Sequence, residues 1–222
     1  MNEINNEFDL NELKLKMIND EFKNGIHIVN TFNPSVTFYG STRITEGQPY
    51  YEKVQKLTSR IVKELDYAVL SGGGPGIMEA ANRGAFEAGG RSIGLTIKLP
   101  NEQMNNPYLT DEIPFNFFFT RQSAMSYTTE VCIFCPGGFG TLNELFEILT
   151  LQQTKKIGNI PIILFGSDFW TPIDKMIKEN LLERFKTISK DDVALYAIED
   201  DENQILEIIK ASRMRNGDDS LR

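Results

Sequence analysis

The stretch Cys135-Pro136-Gly137-Gly138-Phe139-Gly140-Thr141-Leu142-Asn143-Glu144 decides how this chain folds. The apolar, β-branched run 131–135 precedes it and reads as a buried strand, and the apolar-periodic run 145–151 follows and reads as a helix. The glycines therefore sit at a strand-to-helix turn. There the first N–H groups of the helix lack intrahelical partners and carry the positive end of its dipole, which makes the turn an anion receptor. Backbone without side chains at Gly137, Gly138 and Gly140 can approach a phosphate closely. Thr141 is placed to cap the helix or to donate its hydroxyl to a ligand, and Glu144, expected on the first turn, sets a carboxylate beside the anion. The competing reading is an ordinary turn in which Thr141 and Glu144 form a capping box.

A second turn of the same kind lies upstream. Tyr67-Ala68-Val69-Leu70 reads as a strand and opens into Ser71-Gly72-Gly73-Gly74-Pro75-Gly76-Ile77-Met78-Glu79. The successive glycines permit positive φ and close ligand approach, and Pro75 and Gly76 start a helix that runs through Ala88. Earlier still, Val36-Thr37-Phe38-Tyr39 is a strand ended by Gly40-Ser41-Thr42-Arg43. Ser41 and Thr42 either contact a phosphate or ribose hydroxyl at the sheet's carboxyl edge or only cap the helix over 50–65. Two nucleotide fingerprints fail: G-x-G-x-x-G meets Ile77 and Glu79 where its third glycine belongs, and no Gly-Lys pair supplies a P-loop. Dinucleotide redox chemistry and triphosphate hydrolysis thereby lose their main sequence support.

Downstream, 92–98 is a strand, 100–114 a polar loop with the length of a lid or interface arm, and 115–119 an extended aromatic run. A helix then starts near Arg121 and reaches Glu130. Arg121 either binds a phosphate or flanks a reacting sugar, or it makes a surface ion pair. Residues 161–166 form a strand, Trp170-Thr171-Pro172 opens a helix with Thr171 as cap, 193–198 is a last edge strand and 205–209 a final helix. Residues 1–30 form an amphipathic helical extension with the stripe Leu10, Leu13, Met17 and Ile18, packed outside the domain or on a partner subunit. Residues 213–222 are a frayed tail.

A chain of 222 residues fits one sizeable α/β domain, here 31–212, and is too short for two. With 41% hydrophobic and 24% charged residues it is not disordered. The net charge of -8 argues against a nucleic-acid binder, which needs a basic stripe, but a helix terminus and one arginine suffice for a small phosphorylated ligand. No apolar run of roughly 20 residues exists and the N-terminus is polar, so no membrane span or secretory signal is expected and the location is expected to be cytoplasmic. Cys132 and Cys135 point to opposite faces of one strand and read as core thiols; His27 reads as a half-buried structural residue; no metal is expected.

Taken together, Ser71 to Asn82 with its glycines, Arg121 with Met125 four residues on, and Pro136-Gly137-Gly138-Phe139-Gly140-Thr141-Leu142-Asn143-Glu144 resemble the Lonely Guy (LOG) family, whose older label is lysine-decarboxylase-like. The resemblance covers 36–209. It implies a Rossmann-like, mostly parallel sheet with helices on both faces, a homodimer, and hydrolysis of the N-glycosidic bond of nucleoside 5′-monophosphates to free base and ribose 5-phosphate. Arg121 and Glu144 match the two catalytic positions, and Gly137, Gly138, Gly140 and Thr141 the phosphate-binding turn. Gly73, Gly74, Ser41, Met125 and Glu79 are further candidates for the nucleotide-binding surface, Glu79 as a ribose contact. Thr120 and Gln122 stand where plant members carry an acidic residue and a lysine, and Gly76-Ile77-Met78-Glu79 is similar to the bacterial branch; the substrate expected is AMP or a cytokinin riboside 5′-monophosphate. No pyridoxal-phosphate site is identifiable and no cofactor is expected. Cleaving a ribosyl–base bond passes through an oxocarbenium-like state, which calls for negative charge near the anomeric carbon and an activated water. Two rivals stand beside this: a molybdenum-cofactor or nucleotide carrier of the same fold that binds without cleaving, and a Mg²⁺-dependent phosphotransferase.

Overall fold

The computed structural model describes residues 2–98 and 105–212. Strands β1 (Ser35–Tyr39), β2 (Ala68–Ser71), β3 (Ser92–Ile97), β4 (Asp111–Phe115), β5 (Val131–Phe134), β6 (Ile162–Leu164) and β7 (Ala197–Ile198) form one sheet in the order β4-β3-β2-β1-β5-β6-β7. Every neighbouring pair is parallel. Helices α1 (Asn2–Asn30), α2 (Pro49–Leu65), α3 (Ile77–Glu87), α4 (Phe118–Thr128), α5 (Phe139–Gln153), α6 (Ser167–Met176) and α7 (Glu202–Ala211) accompany it. The inner strands are buried along their whole length, as a parallel sheet covered on both sides must be. One core holds Tyr39, Phe134, Leu145, Ile148 and Trp170; the other holds Phe38, Tyr51, Leu57, Ile77 and Ile163. Cys132 falls in the first and Cys135 in the second, so the two thiols do face opposite sides of the strand.

Strand order reverses between β1 and β5. At such a switch point the two carboxyl-end loops part to opposite faces and leave a crevice, the usual ligand site of open α/β sheets. The turn after β2 is held behind the crevice by a buried polar cluster. Asn82 Oδ1 accepts from Ser71 Oγ at 2.6 Å and from Asn106 Nδ2 at 2.9 Å, and its amide donates to Ser92 Oγ at 2.9 Å.

Several elements depart from the sequence reading. The polar loop ends in a strand: Asp111-Glu112-Ile113-Pro114-Phe115 pairs with β3 at the sheet's edge, where the missing N–H of Pro114 costs little. Asn106 bolts the preceding segment to the second glycine turn through Gly73 O and Gly74 O, so that part is no free lid; 99–104 lie outside the described residues. The aromatic run is not extended throughout, because α4 begins at Phe118. The Glu21 carboxylate of α1 accepts from Asn116 N and from Thr120 Oγ1, both at 2.8 Å, which anchors the start of that helix. Burial raises the Glu21 carboxyl, but the hydrogen bonds from Asn116, Thr120 and Phe117 outweigh it and leave the group below its ordinary value. Thr171 is not a cap: α6 starts at Ser167 because Asp200, far along the chain, accepts from Gly166 N and Ser167 N, and Pro172 lies inside the helix. His27, in the last turn of α1, is exposed rather than half-buried. Leu10, Leu13 and Met17 of the N-terminal stripe are exposed as well. The tail 213–222 lies outside the described residues. Among the described residues no helix is long and apolar enough to cross a membrane.

Candidate functional site

The loops after β1, β2 and β5 converge on a cavity of about 740 Å³ at the switch point. Its rear wall is backbone, stapled at Ser41, whose N–H donates to Pro136 O and whose carbonyl accepts from Ile77 N, both at 3.0 Å. The close approach dictates glycine at 76: φ is 73°, and a Cβ there would lie 2.4 Å from Ser41 O.

The glycine turn forms the second wall. Gly138 is the N-cap of α5 and no side chain caps it. The first intrahelical bond runs from Leu142 N to Gly138 O at 3.1 Å, so the N–H groups of Phe139, Gly140 and Thr141 precede the helical ladder at the dipole's positive end. All three residues, with Gly137 and Gly138, line the cavity. Such a helix start suits an anion, and two arginines, Arg43 and Arg121, against one carboxylate, Glu144, give the lining a local sign opposite to that of the whole chain. Two expectations shift because the helix starts at Phe139. Thr141 is third in α5 rather than its cap, tucked against Gly137, and Glu144 stands on the second turn, which removes the capping-box reading.

Arg121 on α4 and Glu144 on α5 meet across the cavity floor. Arg121 Nη2 donates towards Glu144 Oε1 at 3.5 Å, a long contact, with the side chains 12% and 21% exposed. Arg121 Nε is buried without a hydrogen-bond partner among the described residues. Burial pushes the Glu144 carboxyl up to about 7; the Arg121 charge pulls it down and Glu147 adds to the rise. A carboxyl titrating there is half ionised at neutral pH, the poise of an acid–base or charge-stabilising group.

The fold thus gathers Ser41, Arg121, Gly137, Gly138, Gly140, Thr141 and Glu144 around one cavity. It does not bring the other candidates to its lining. Gly73 and Gly74 serve the polar cluster through their carbonyls, Met125 is a buried core residue one turn beyond Arg121, and Glu79 accepts a 2.9 Å hydrogen bond from Tyr51 away from the crevice. From the second turn it is Gly72 that matters: a Cβ there would lie 2.7 Å from Arg121 Nη2 and 2.8 Å from Met78 Sδ. Sequence reading also missed Tyr39, Met78, Arg43, Phe118 and Phe139. Phe139, 94% exposed, signals itself as a bare aromatic beside a glycine turn.

Fold and site together define a Rossmann-like protein with a glycine turn at a helix N-terminus and a half-buried arginine–carboxylate pair. Residues 78–209 match the model of the family described as "Possible lysine decarboxylase", and the chain belongs to that family, the LOG family. The cytokinin riboside 5′-monophosphate phosphoribohydrolase LOG2 of Arabidopsis thaliana is 25% identical over 138 residues, 60% of this chain and 65% of that protein. A probable cytokinin riboside 5′-monophosphate phosphoribohydrolase of Oryza sativa subsp. japonica, LOGL3, is 24% identical over 68% of this chain and 74% of its own length. The match therefore spans just under two-thirds of the first relative. Among solved structures, the Moco carrier protein from Chlamydomonas reinhardtii superposes with a TM-score of 0.59 at 20% identity, covering 80% of this chain and 95% of that one, a likeness of fold.

The raised Glu144 has a thermodynamic consequence. The carboxyl titrates near 4.5 when unfolded and near 7 in the site, so the folded chain binds the extra proton between these limits and stability falls as pH rises through that window. Glu144→Gln is expected to match the parent in stability at pH 4 and to exceed it by about 1–3 kcal/mol at pH 8. Chemical denaturation at both pH values reads this; equal stability at pH 8 contradicts it.

Proposed function

We propose that this chain is an N-glycosidase that hydrolyses nucleoside 5′-monophosphates, AMP or a cytokinin riboside 5′-monophosphate, to free base and ribose 5-phosphate. The observation that carries this reading is the Arg121–Glu144 pair set one helical turn deeper than the uncapped N-terminus of α5. The names of the curated relatives support the same reaction class.

The site's parts suit the chemistry. The N–H groups at the head of α5 hold the 5′-phosphate, and its binding energy positions the rest of the nucleotide. The sugar then lies towards Arg121 and Glu144, and the base against Met78, Ile97 and Phe118. As the C–N bond to the base breaks, its electron pair leaves with the base and positive charge grows on the ribosyl carbon. The ionised Glu144 either stabilises that charge while the attacking water loses its proton to solvent, or takes that proton itself; the water oxygen forms the new bond to the ribosyl carbon, and the departing base takes up a proton from solvent. Arg121 orients carboxylate and ligand.

A carrier reading keeps the glycine turn and the phosphate but has no use for Glu144. Purified protein incubated with a panel of nucleoside monophosphates separates the two: released base detected by chromatography supports hydrolysis, and bound nucleotide without release supports the carrier. Glu144→Gln and Arg121→Ala are each expected to lower turnover by about a hundredfold or more while circular dichroism stays that of the parent. The acid limb of the parent's rate should rise through about pH 7 as Glu144 ionises; near-parental turnover in either variant removes the assignment.

A second copy of the chain is the proposed macromolecular partner, supported by the exposed apolar residues Leu10, Leu13 and Met17 on α1 and Phe118 and Phe119 on α4, the helix against which α1 packs. Sedimentation velocity should show one species of about twice the chain mass; a monomer at micromolar concentration ends this part.

A further inference from the structure

The cavity that holds the Arg121–Glu144 pair is also lined by a tyrosine whose hydroxyl lacks a partner among the described residues. Tyr39 ends β1 on the cavity's floor and is 3% exposed, and its Oη has no hydrogen-bond partner among the described residues. The ring cannot swing away to find one. It is stacked on Phe134 at 4.5 Å and 8°, its neighbour in the β1–β5 register, and Tyr39 O accepts from Cys135 N at 2.8 Å. Only the O–H torsion is free.

A buried, unpartnered phenol is costly enough that its retention needs a reason. The charged and titratable groups facing it are Cys132 from β5, Glu144 and Glu147 from α5, and Arg121 from α4. Arg121 accepts no hydrogen bond, and the Cys132 sulfur lies 3.9 Å from Thr129 Oγ1. Among these groups the strong acceptors are the two carboxylates, and of these Glu144 lines the cavity. Glu144 makes one side-chain contact among the described residues, the long 3.5 Å contact to Arg121. An anionic ligand drawn to Arg121 weakens even that.

We infer that Tyr39 is a positioning residue for Glu144: in the ligand-bound site its hydroxyl donates to the Glu144 carboxylate, keeping it ionised and aimed while Arg121 turns to the ligand. The inference rests on the proposed reaction for its rate readout, though not for its titration. Hydrogen bonding to the charged form lowers a carboxyl's proton affinity, so loss of the hydroxyl raises it. Phe at 39 keeps the ring and its stack.

The test is Tyr39→Phe with AMP as the probe. The variant is expected to keep the parent's melting temperature, to lose about tenfold in kcat with KM within twofold, and to move the acid limb of kcat upward by about half a pH unit or more. A superimposable pH profile overturns the inference, and so does a fall in melting temperature with the limb unmoved, which marks a packing role. Should the parent release no base from AMP, the hydrolase reading fails, and the inference is decided by carbon NMR titration of the Glu144 carboxyl with AMP present. An upward shift in Tyr39→Phe sustains it there; an unchanged midpoint overturns it.

Discussion

Two backbone hydrogen bonds at Ser41 hold the site together. They join the carboxyl-end loops of three parallel strands that are distant in sequence, by tying residue 41 to Pro136 and to Ile77. With the loops after β1 and β5 fixed to each other at the point where strand order reverses, the head of α5 has one place to go, and Arg121 and Glu144 meet beneath it. Side-chain changes at Ser41 leave these bonds in place. A Cβ at Gly76 does not, because it would strike the carbonyl that accepts one of them.

The arrangement trades stability for chemistry. A carboxyl raised to about 7, an arginine with an unpartnered buried Nε and a tyrosine with an unpartnered buried hydroxyl are each unfavourable in the isolated chain. All three residues line one cavity, where a ligand's anion can engage the arginine while the hydroxyl and the carboxyl engage each other. Unpartnered buried oxygens are not confined to the cavity, since Ser35 Oγ, Thr37 Oγ1 and Gln152 Oε1 also lack a hydrogen-bond partner among the described residues, whereas the amides of Asn82 and Asn106 are engaged in the cluster behind the crevice.

Much of this was legible in the residues. Glycines between an apolar β-branched run and an apolar-periodic run fix a strand–turn–helix, and two such turns fix the sheet's carboxyl edge as the place to look for a ligand. What resisted reading was set by distant partners. The start of α6 depends on Asp200, and the start of α4 on Glu21, neither of which is near in sequence. The strand β4 was hidden because an edge position tolerates both Pro114 and exposed Asp111 and Glu112. Which glycine of 72–74 faces the cavity depends on how far the turn overhangs the sheet, and composition carries no such information. Tyr39 reads as a core aromatic in any strand pattern; only the absence of a partner for its hydroxyl distinguishes it.

The central claim is that the head of α5 grips a sugar phosphate and that Glu144 then faces the ribose carbon bearing the base. A crystal structure of the Glu144→Gln protein soaked with AMP tests it most directly. The phosphate is expected on the N–H groups of Phe139, Gly140 and Thr141, with the residue-144 side chain beside the anomeric carbon and Arg121 in contact with the ligand. A phosphate bound elsewhere, with residue 144 remote from the sugar, would contradict it.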